Sequence, residues 1–239
     1  MSPLERTTRT AVTWIVTILV PLALMLTSIR LIINQTFLQF EYHTPNFPAD
    51  PYGFTLEDRL KWAPIAVDYL LNDAGIDFLG NLTFPDGIPL YNQRELSHMV
   101  DVKNLVQFSF RVWEISLGLL VGLGLAAWGA RWSIDYRRGL GRGGWLTVGL
   151  LVAILIGVFL NFDALFTGFH RLFFTGDSWL FYFSDTLIRL FPMRFWQDAF
   201  ILFGVISLVG GILLGIFMGR SVRASEEKVR QLAPQDGTQ

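Results

Sequence analysis

The sequence predicts an all-α membrane protein, with four transmembrane helices and a small, mainly helical extracytoplasmic domain between spans one and two. Three observations predict it. Of the 239 residues, 52% are hydrophobic and 15% aromatic, too apolar for an ordinary water-soluble domain of this length. Four stretches, roughly 11 to 33, 112 to 130, 144 to 162 and 198 to 219, supply the run of about 20 apolar residues that a helix needs to cross hydrocarbon. The segment between the first two carries ten carboxylates (Glu41, Asp50, Glu57, Asp58, Asp68, Asp73, Asp77, Asp86, Glu95 and Asp101), which belong in water.

Taken in order, residues 1–33 form a cytoplasmic N-terminus and the first span. Arg6 and Arg9 precede an apolar run too long for a signal-peptide core, and no small-x-small cleavage site follows, so an uncleaved anchor is expected. Residues 34–111 form the extracytoplasmic domain. Its HTPNFPADPYGF start is irregular, a helix is expected from about 56 to 72 with Thr55 and Asp58 as a capping box, and DFLGNLTFPDGIPLYNQ suggests a small hairpin about its PDG turn. From about Gln93 one long helix should run into the second span.

Residues 112–162 hold spans two and three and the basic connector RWSIDYRRGLGRGG. Residues 163–197 form an outer, interfacial segment. Its first part sets Asp163, Thr167 and His170 on one helix face, TGDSW is a turn, and FSDTLIRLFPMRFW reads as a short amphipathic helix with Arg189 and Arg194 in the headgroup layer. Residues 198–239 are span four and a tail with Arg220, Arg223, Lys228 and Arg230. The basic residues at the span ends put both termini and the connector in the cytoplasm, and residues 34–111 and 163–197 outside.

Composition also excludes. A net charge of -1, with cations in short blocks beside apolar runs, leaves no nucleic-acid surface. With no cysteine the chain has no disulfide, thiol nucleophile or thiolate metal site, and no lipidated cysteine of its own. GxSxG, HExxH and GxxxxGK[ST] are absent, and the glycine-rich GLGRGG lies in a connector with no strand before it.

All three histidines, His43, His98 and His170, fall in the outer segments. His43 sits in the proline-rich loop and is expected to be solvated. His98 has Asp101 one turn later and is either a surface residue or a proton shuttle. His170 lies among phenylalanines, where it is either a buried hydrogen-bonding group or a catalyst. At the outer span ends an i, i+3 pair of Arg111 with Glu114 is expected, the other reading being a buried network of Glu114 with Arg30.

ELSHMVDVKNL before span two, with FDALFTGFHRLFF and SDTLIRLFPMRFW after span three, resembles the bacterial lipoprotein intramolecular transacylase family of four-span membrane proteins. His98 and His170 are 72 residues apart (170 minus 98), the separation of that family's two active-site histidines. The resemblance implies an acyltransferase of the bacterial cytoplasmic membrane with its active site at the outer face and no cofactor or metal. Its substrate would be a diacylated membrane lipoprotein presented from the phospholipid bilayer. The sn-2 acyl chain of its diacylglyceryl-cysteine would move to the cysteine's own α-amino group, giving lyso-form lipoprotein without an acyl-enzyme. On this resemblance His98 is the base on the amine and His170 the partner at the ester, or the reverse. Arg171 would hold the oxyanion or a headgroup, and Asp101 or Asp163 would orient an imidazole. Two other classes compete: an electron-transfer protein with haem between His98 and His170, and a non-enzymatic assembly subunit. A zinc site on the same histidines lacks any short ligand spacing.

Overall fold

The computed structural model describes residues 2–174, 176 and 178–232. Its helices are α1 (Pro3–Ile32), α2 (Gln35–Tyr42), α3 (Leu56–Leu71), α4 (Asp77–Gly80), α5 (Gln93–Gly129), α6 (Ser133–Leu160), α7 (Phe162–Phe173), α8 (Thr186–Leu190) and α9 (Met193–Leu232). Four of them, α1, α5, α6 and α9, are long and apolar enough to cross a membrane. They leave Ile18, Val121, Leu125, Trp128, Ile156 and Phe217 exposed, the surface expected of helices whose solvent is lipid. No strand forms among the described residues. The hairpin expected about PDG is reduced to a single bridge between Thr83 and Pro89, closed by Phe84 N–H to the Ile88 carbonyl at 2.8 Å and by Gly87 in a left-handed conformation (φ 85°). The turn expected at TGDSW falls partly on Thr175 and Asp177, which lie outside the described residues.

The chain divides into two compact units. The first comprises residues 1–27, 113–154 and 205–239. Here GLGRGG turns out to be part of a helix: α6 already begins at Ser133, and the string is a packing surface. A Cβ on Gly143 would lie 2.5 Å from Val20 Cβ, and one on Gly144 would lie 2.6 Å from the Gly211 carbonyl oxygen. Apolar driving force is weak between helices in lipid, so close backbone approach over small residues takes its place. Threonines on α1 complete the seam, with Thr13 Oγ1 at 3.3 Å from the Asp135 carbonyl and Thr17 Oγ1 at 3.3 Å from that of Gly139.

The second unit comprises residues 28–112 and 155–204. Its core draws Leu38 and Tyr42 from α2, Trp62, Ala66 and Tyr69 from α3, and Leu96 and Met99 from α5, with Leu187, Leu190 and Phe195 arriving from beyond the third span. The two outer segments read separately in the sequence therefore share one core. As expected, α3 starts on a Thr55–Asp58 capping box. The helix α5 is continuous from Gln93, and its 37 residues span about 55 Å at about 1.5 Å per residue, well beyond the hydrocarbon thickness of about 30 Å. Its apolar stretch begins after Arg111, so the turns from Gln93 to about Phe110 stand outside the span.

Asn161 accepts the Ala164 N–H at 2.9 Å and caps a new helix, α7, after α6. Two local expectations change. The helix expected to float at the interface is instead built in, since Thr186, Leu187 and Leu190 of α8 are buried, Arg189 bonds Asp50 at 2.9 Å, and Arg194 pairs with Asp198. Arg30 lies over the Phe110 ring at 5.1 Å, and neither Arg111 nor Glu114 makes an ion pair among the described residues.

One buried carboxylate fixes the start of α5. Glu95, 1% exposed, accepts Asn92 N–H at 2.8 Å and, from the next segment, Leu187 N–H at 2.7 Å, while Asn92 accepts the Glu95 N–H at 3.1 Å. Glu95→Ala leaves these buried donors without an acceptor and should lower stability by about 3 kcal/mol, with Glu95→Gln losing less than half of that, as read by thermal unfolding in detergent. In the first unit Gly144→Ala meets backbone that cannot move aside. A loss of about 1–3 kcal/mol is expected, against no measurable change for Gly149→Ala, whose added methyl meets open space.

Candidate active site

His98 and His170 are brought together. The first stands on the N-terminal turns of α5, before its apolar stretch, the second near the end of α7, with ring centroids 6.0 Å apart and planes 21° from parallel. An aromatic wall closes round them: Phe174 and Phe181 meet the His98 ring edge-on at 5.0 and 5.3 Å, and Phe166 and Trp179 lie 4.2 and 5.0 Å from the His170 ring. The helix α7 supplies part of that wall because its apolar residues recur at Phe162, Leu165, Phe166, Phe169 and Phe173, one helical stripe.

The wall sets the electrostatics. His98 is only 8% exposed, and burial, with the neighbouring His170 acting in the same direction, pushes its imidazole down from 6.5 to about 4. Burial also lowers His170, partly offset by the hydrogen bond to the Phe166 carbonyl. Both rings are therefore neutral at neutral pH. The Phe166 carbonyl lies 2.8 Å from His170 Nδ1 and can only accept, so Nδ1 carries the proton and Nε2 keeps its lone pair for a reacting group. His98 Nδ1 is buried with no hydrogen-bond partner among the described residues, a costly state in a protein interior.

The other residues read from the sequence lie as follows. Asp101 accepts the Ser178 hydroxyl at 3.4 Å, and Asp163 is exposed without an ion pair among the described residues; the imidazole of His170 is oriented by backbone, not by a carboxylate. Arg171 is exposed on α7 and likewise makes no ion pair there. His43 caps α2, exposed, with Nδ1 at 2.6 Å from the Gln39 carbonyl. Among the described residues no group of three or more His, Asp or Glu side chains is placed to hold a metal ion.

One residue that the sequence reading does not find is Arg94. It lies one turn before His98 on the same face of α5, its Nε is buried without a partner, its Nη2 is 3.4 Å from Asp185, and its guanidinium covers the Tyr182 ring at 4.9 Å. The i, i+4 spacing in RELSH was the available signal. Trp179 and Phe181 carry no such signal, because only the fold of the segment after α7 turns them toward the imidazoles.

Comparison with known proteins gives this site a family. Residues 14–196 match the lipoprotein intramolecular transacylase (Lit) family. An uncharacterized protein of Aquifex aeolicus is 32% identical over 212 residues, covering 88% of this chain and 94% of its own length. The fold matches the membrane-integral lipoprotein intramolecular transacylase of Bacillus cereus, with a TM-score of 0.77 at 21% identity over 93% of this chain and 99% of that one. A variant of the same protein with a histidine replaced by alanine matches with a TM-score of 0.74 at 20% identity, over 94% and 98% of the two chains. The chain belongs to the lipoprotein intramolecular transacylase family, and with it to the acyltransferases that work within a membrane.

Proposed function

We propose that this protein moves the sn-2 acyl chain of a diacylglyceryl-cysteine lipoprotein to the cysteine's own α-amino group, with His98 and His170 as the proton-transfer pair. The observation that carries the reading is the pair itself: two neutral imidazoles, 6.0 Å apart between centroids in an aromatic wall, in a chain of this family. The α-ammonium first loses one proton to solvent, and the free amine attacks the sn-2 ester carbonyl while giving a second proton to the lone pair of His170 Nε2. A C–N amide bond forms, the ester C–O bond breaks, and the glycerol oxygen receives a proton from the imidazole side. Of the two protons that nitrogen gives up, one goes to solvent and the other arrives at the glycerol oxygen, so nothing else is consumed. Both reacting groups belong to one molecule, and the protein supplies orientation and proton transfer instead of a nucleophile.

The Phe166 contact favours His170 as the base and His98 as the partner at the ester, the reverse of the first-named order. The unpartnered Nε of Arg94 favours that residue over Arg171 as a donor to the oxyanion, leaving exposed Arg171 to the headgroup level. Asp101, through Ser178, and Asp163 act at most on the wall and on α7. Basic residues at the span ends support cytoplasmic termini and a site at the outer face of the membrane. Family membership favours this reading over a haem protein or an assembly subunit.

The direct test is expression in a bacterium lacking its own lipoprotein N-acyltransferase, with the N-terminal lipopeptide of an abundant lipoprotein read by tandem mass spectrometry. Wild type should give the N-acyl, S-monoacylglyceryl isomer. His98→Ala and His170→Ala should each lower conversion by about a hundredfold or more while the protein still accumulates in the membrane. Wild type that leaves the lipid unchanged ends the proposal.

The acid side of the rate profile gives a second prediction. Burial holds His98 at about 4 and moves His170 below its ordinary value, so both take up a proton later than a free imidazole as pH falls. Around the ordinary imidazole value, at about pH 6 to 7, the rate should then follow chiefly the proton of the substrate amine, rising about tenfold per unit. A steeper, two-proton limb in that range would mean that the histidines titrate normally. The sign for stability is the same: the lowered His98 contributes stability that is full above about 6.5 and is lost as pH falls through about 4.

A further inference from the structure

In the first compact unit the N-terminal part of α1, the start of α6 and the end of α9 border two adjoining open clefts of about 440 and 340 Å3 that share Arg138 and Glu226. Arg9, Arg131, Arg138 and Arg230 line the first, and the second adds Arg137, Arg142 and Arg223, seven guanidiniums against the two carboxylates Asp135 and Glu226. Those carboxylates are already committed. Asp135 lies 2.7 Å from Arg138 and 3.7 Å from Arg9, and Glu226 lies 2.6 Å from Arg138. Arg137 bonds the Ser221 hydroxyl at 2.6 Å, and Arg142 lies over the Trp14 ring at 5.7 Å. Arg131, Arg142, Arg223 and Arg230 face the clefts with no ion pair among the described residues.

Retention of cations on the cytoplasmic side accounts for arginines near span ends, but not for their convergence on one concave surface, where they repel one another unless an anion sits between them. The second cleft is flanked by apolar surface, Met218 and the Trp145 ring, which is 52% exposed, next to Gly219, where an added Cβ would meet open space. A charged cleft beside an apolar one matches an amphiphile with an anionic head and an aliphatic stem.

We propose that these clefts bind an anionic phospholipid, its phosphodiester among Arg131, Arg138 and Arg230 and its glyceryl and first acyl carbons over Trp145 and Met218 beside Gly219. On the reading that puts this end in the cytoplasm, it faces the leaflet surface where anionic lipid is concentrated. The site is independent of the imidazole pair and of the acyl-transfer reading.

Arg131 offers a clean variant. It closes α5 in a left-handed conformation (φ 60°), which glycine adopts more readily than arginine, so Arg131→Gly removes the charge without straining the fold. Full-length protein in neutral detergent is titrated with phosphatidylglycerol or phosphatidylcholine in mixed micelles, following the thermal midpoint. Phosphatidylglycerol should stabilise at lower mole fraction than phosphatidylcholine, less so at high salt. Arg131→Gly and Arg230→Gln should each weaken its apparent affinity about fivefold, with the lipid-free midpoint unchanged. Equal stabilisation by the two lipids overturns the proposal, as do variants that titrate like wild type. Stabilisation by millimolar inorganic phosphate equal to that by phosphatidylglycerol also overturns it, in favour of a free-phosphate site.

Discussion

The second compact unit depends on the carboxylate of Glu95. Placed in the first turn of α5 and almost without solvent, it accepts one N–H from its own helix start and one from α8, so two segments more than ninety residues apart share a single acceptor. Thr186 adds a hydroxyl donated to the Leu90 carbonyl at 2.5 Å, and Tyr42 donates to the Leu190 carbonyl at 2.9 Å. A buried acid normally resists ionisation, and burial does raise Glu95, but the backbone N–H groups aimed at it pull the other way. This anchorage decides where the preceding residues lie. Phe181 reaches the His98 ring, and Tyr182 reaches Arg94, because the chain immediately after them is fixed at Asp185 to Leu187.

What could be read from the sequence follows the reach of each signal. Span lengths, the Thr55 cap and the uninterrupted helix from Gln93 are properties of neighbouring residues, and the structure agrees with them. The histidine pair was legible by resemblance only, since nothing local in ELSHMVDV or FTGFHRLF says that the two rings meet. Asn161 is a helix cap set among residues apolar enough to continue a span, so hydropathy alone does not mark where α6 ends and α7 begins. The amphipathic pattern of TLIRL fits a lipid interface as well as a protein core, and only the partners, Asp50 for Arg189 and Leu90 for Thr186, distinguish them. GLGRGG misleads for a similar reason. In water a run of glycines loosens a chain, whereas among membrane helices the missing side chain is what lets backbones touch.

The two units handle charge in opposite ways. In the second, the arginines anchored beside the site have a carboxylate and an aromatic face, Arg189 with Asp50 and the Phe54 ring and Arg94 with Asp185 and the Tyr182 ring, while Arg111 and Arg171 stay exposed. In the first, arginines outnumber the acids that could neutralise them, and the surplus is concentrated at concave surface. The first arrangement suits a site where a stray charge would alter an imidazole, and the second suits a surface that awaits an anion.

One cause then serves two needs of the proposed reaction. An acyl chain moving from oxygen to nitrogen within one molecule competes with water for the same ester, and a protein that offers no nucleophile of its own has to win that competition by exclusion. Phe166, Phe174, Trp179 and Phe181 exclude water from the imidazoles, and that desolvation is also what holds both rings neutral, one with a free lone pair and one with an unpartnered nitrogen. A more polar wall would admit water and raise both imidazoles together. The aromatic composition that made an oily segment an unlikely home for a histidine is therefore the feature on which its proposed role as a base rests.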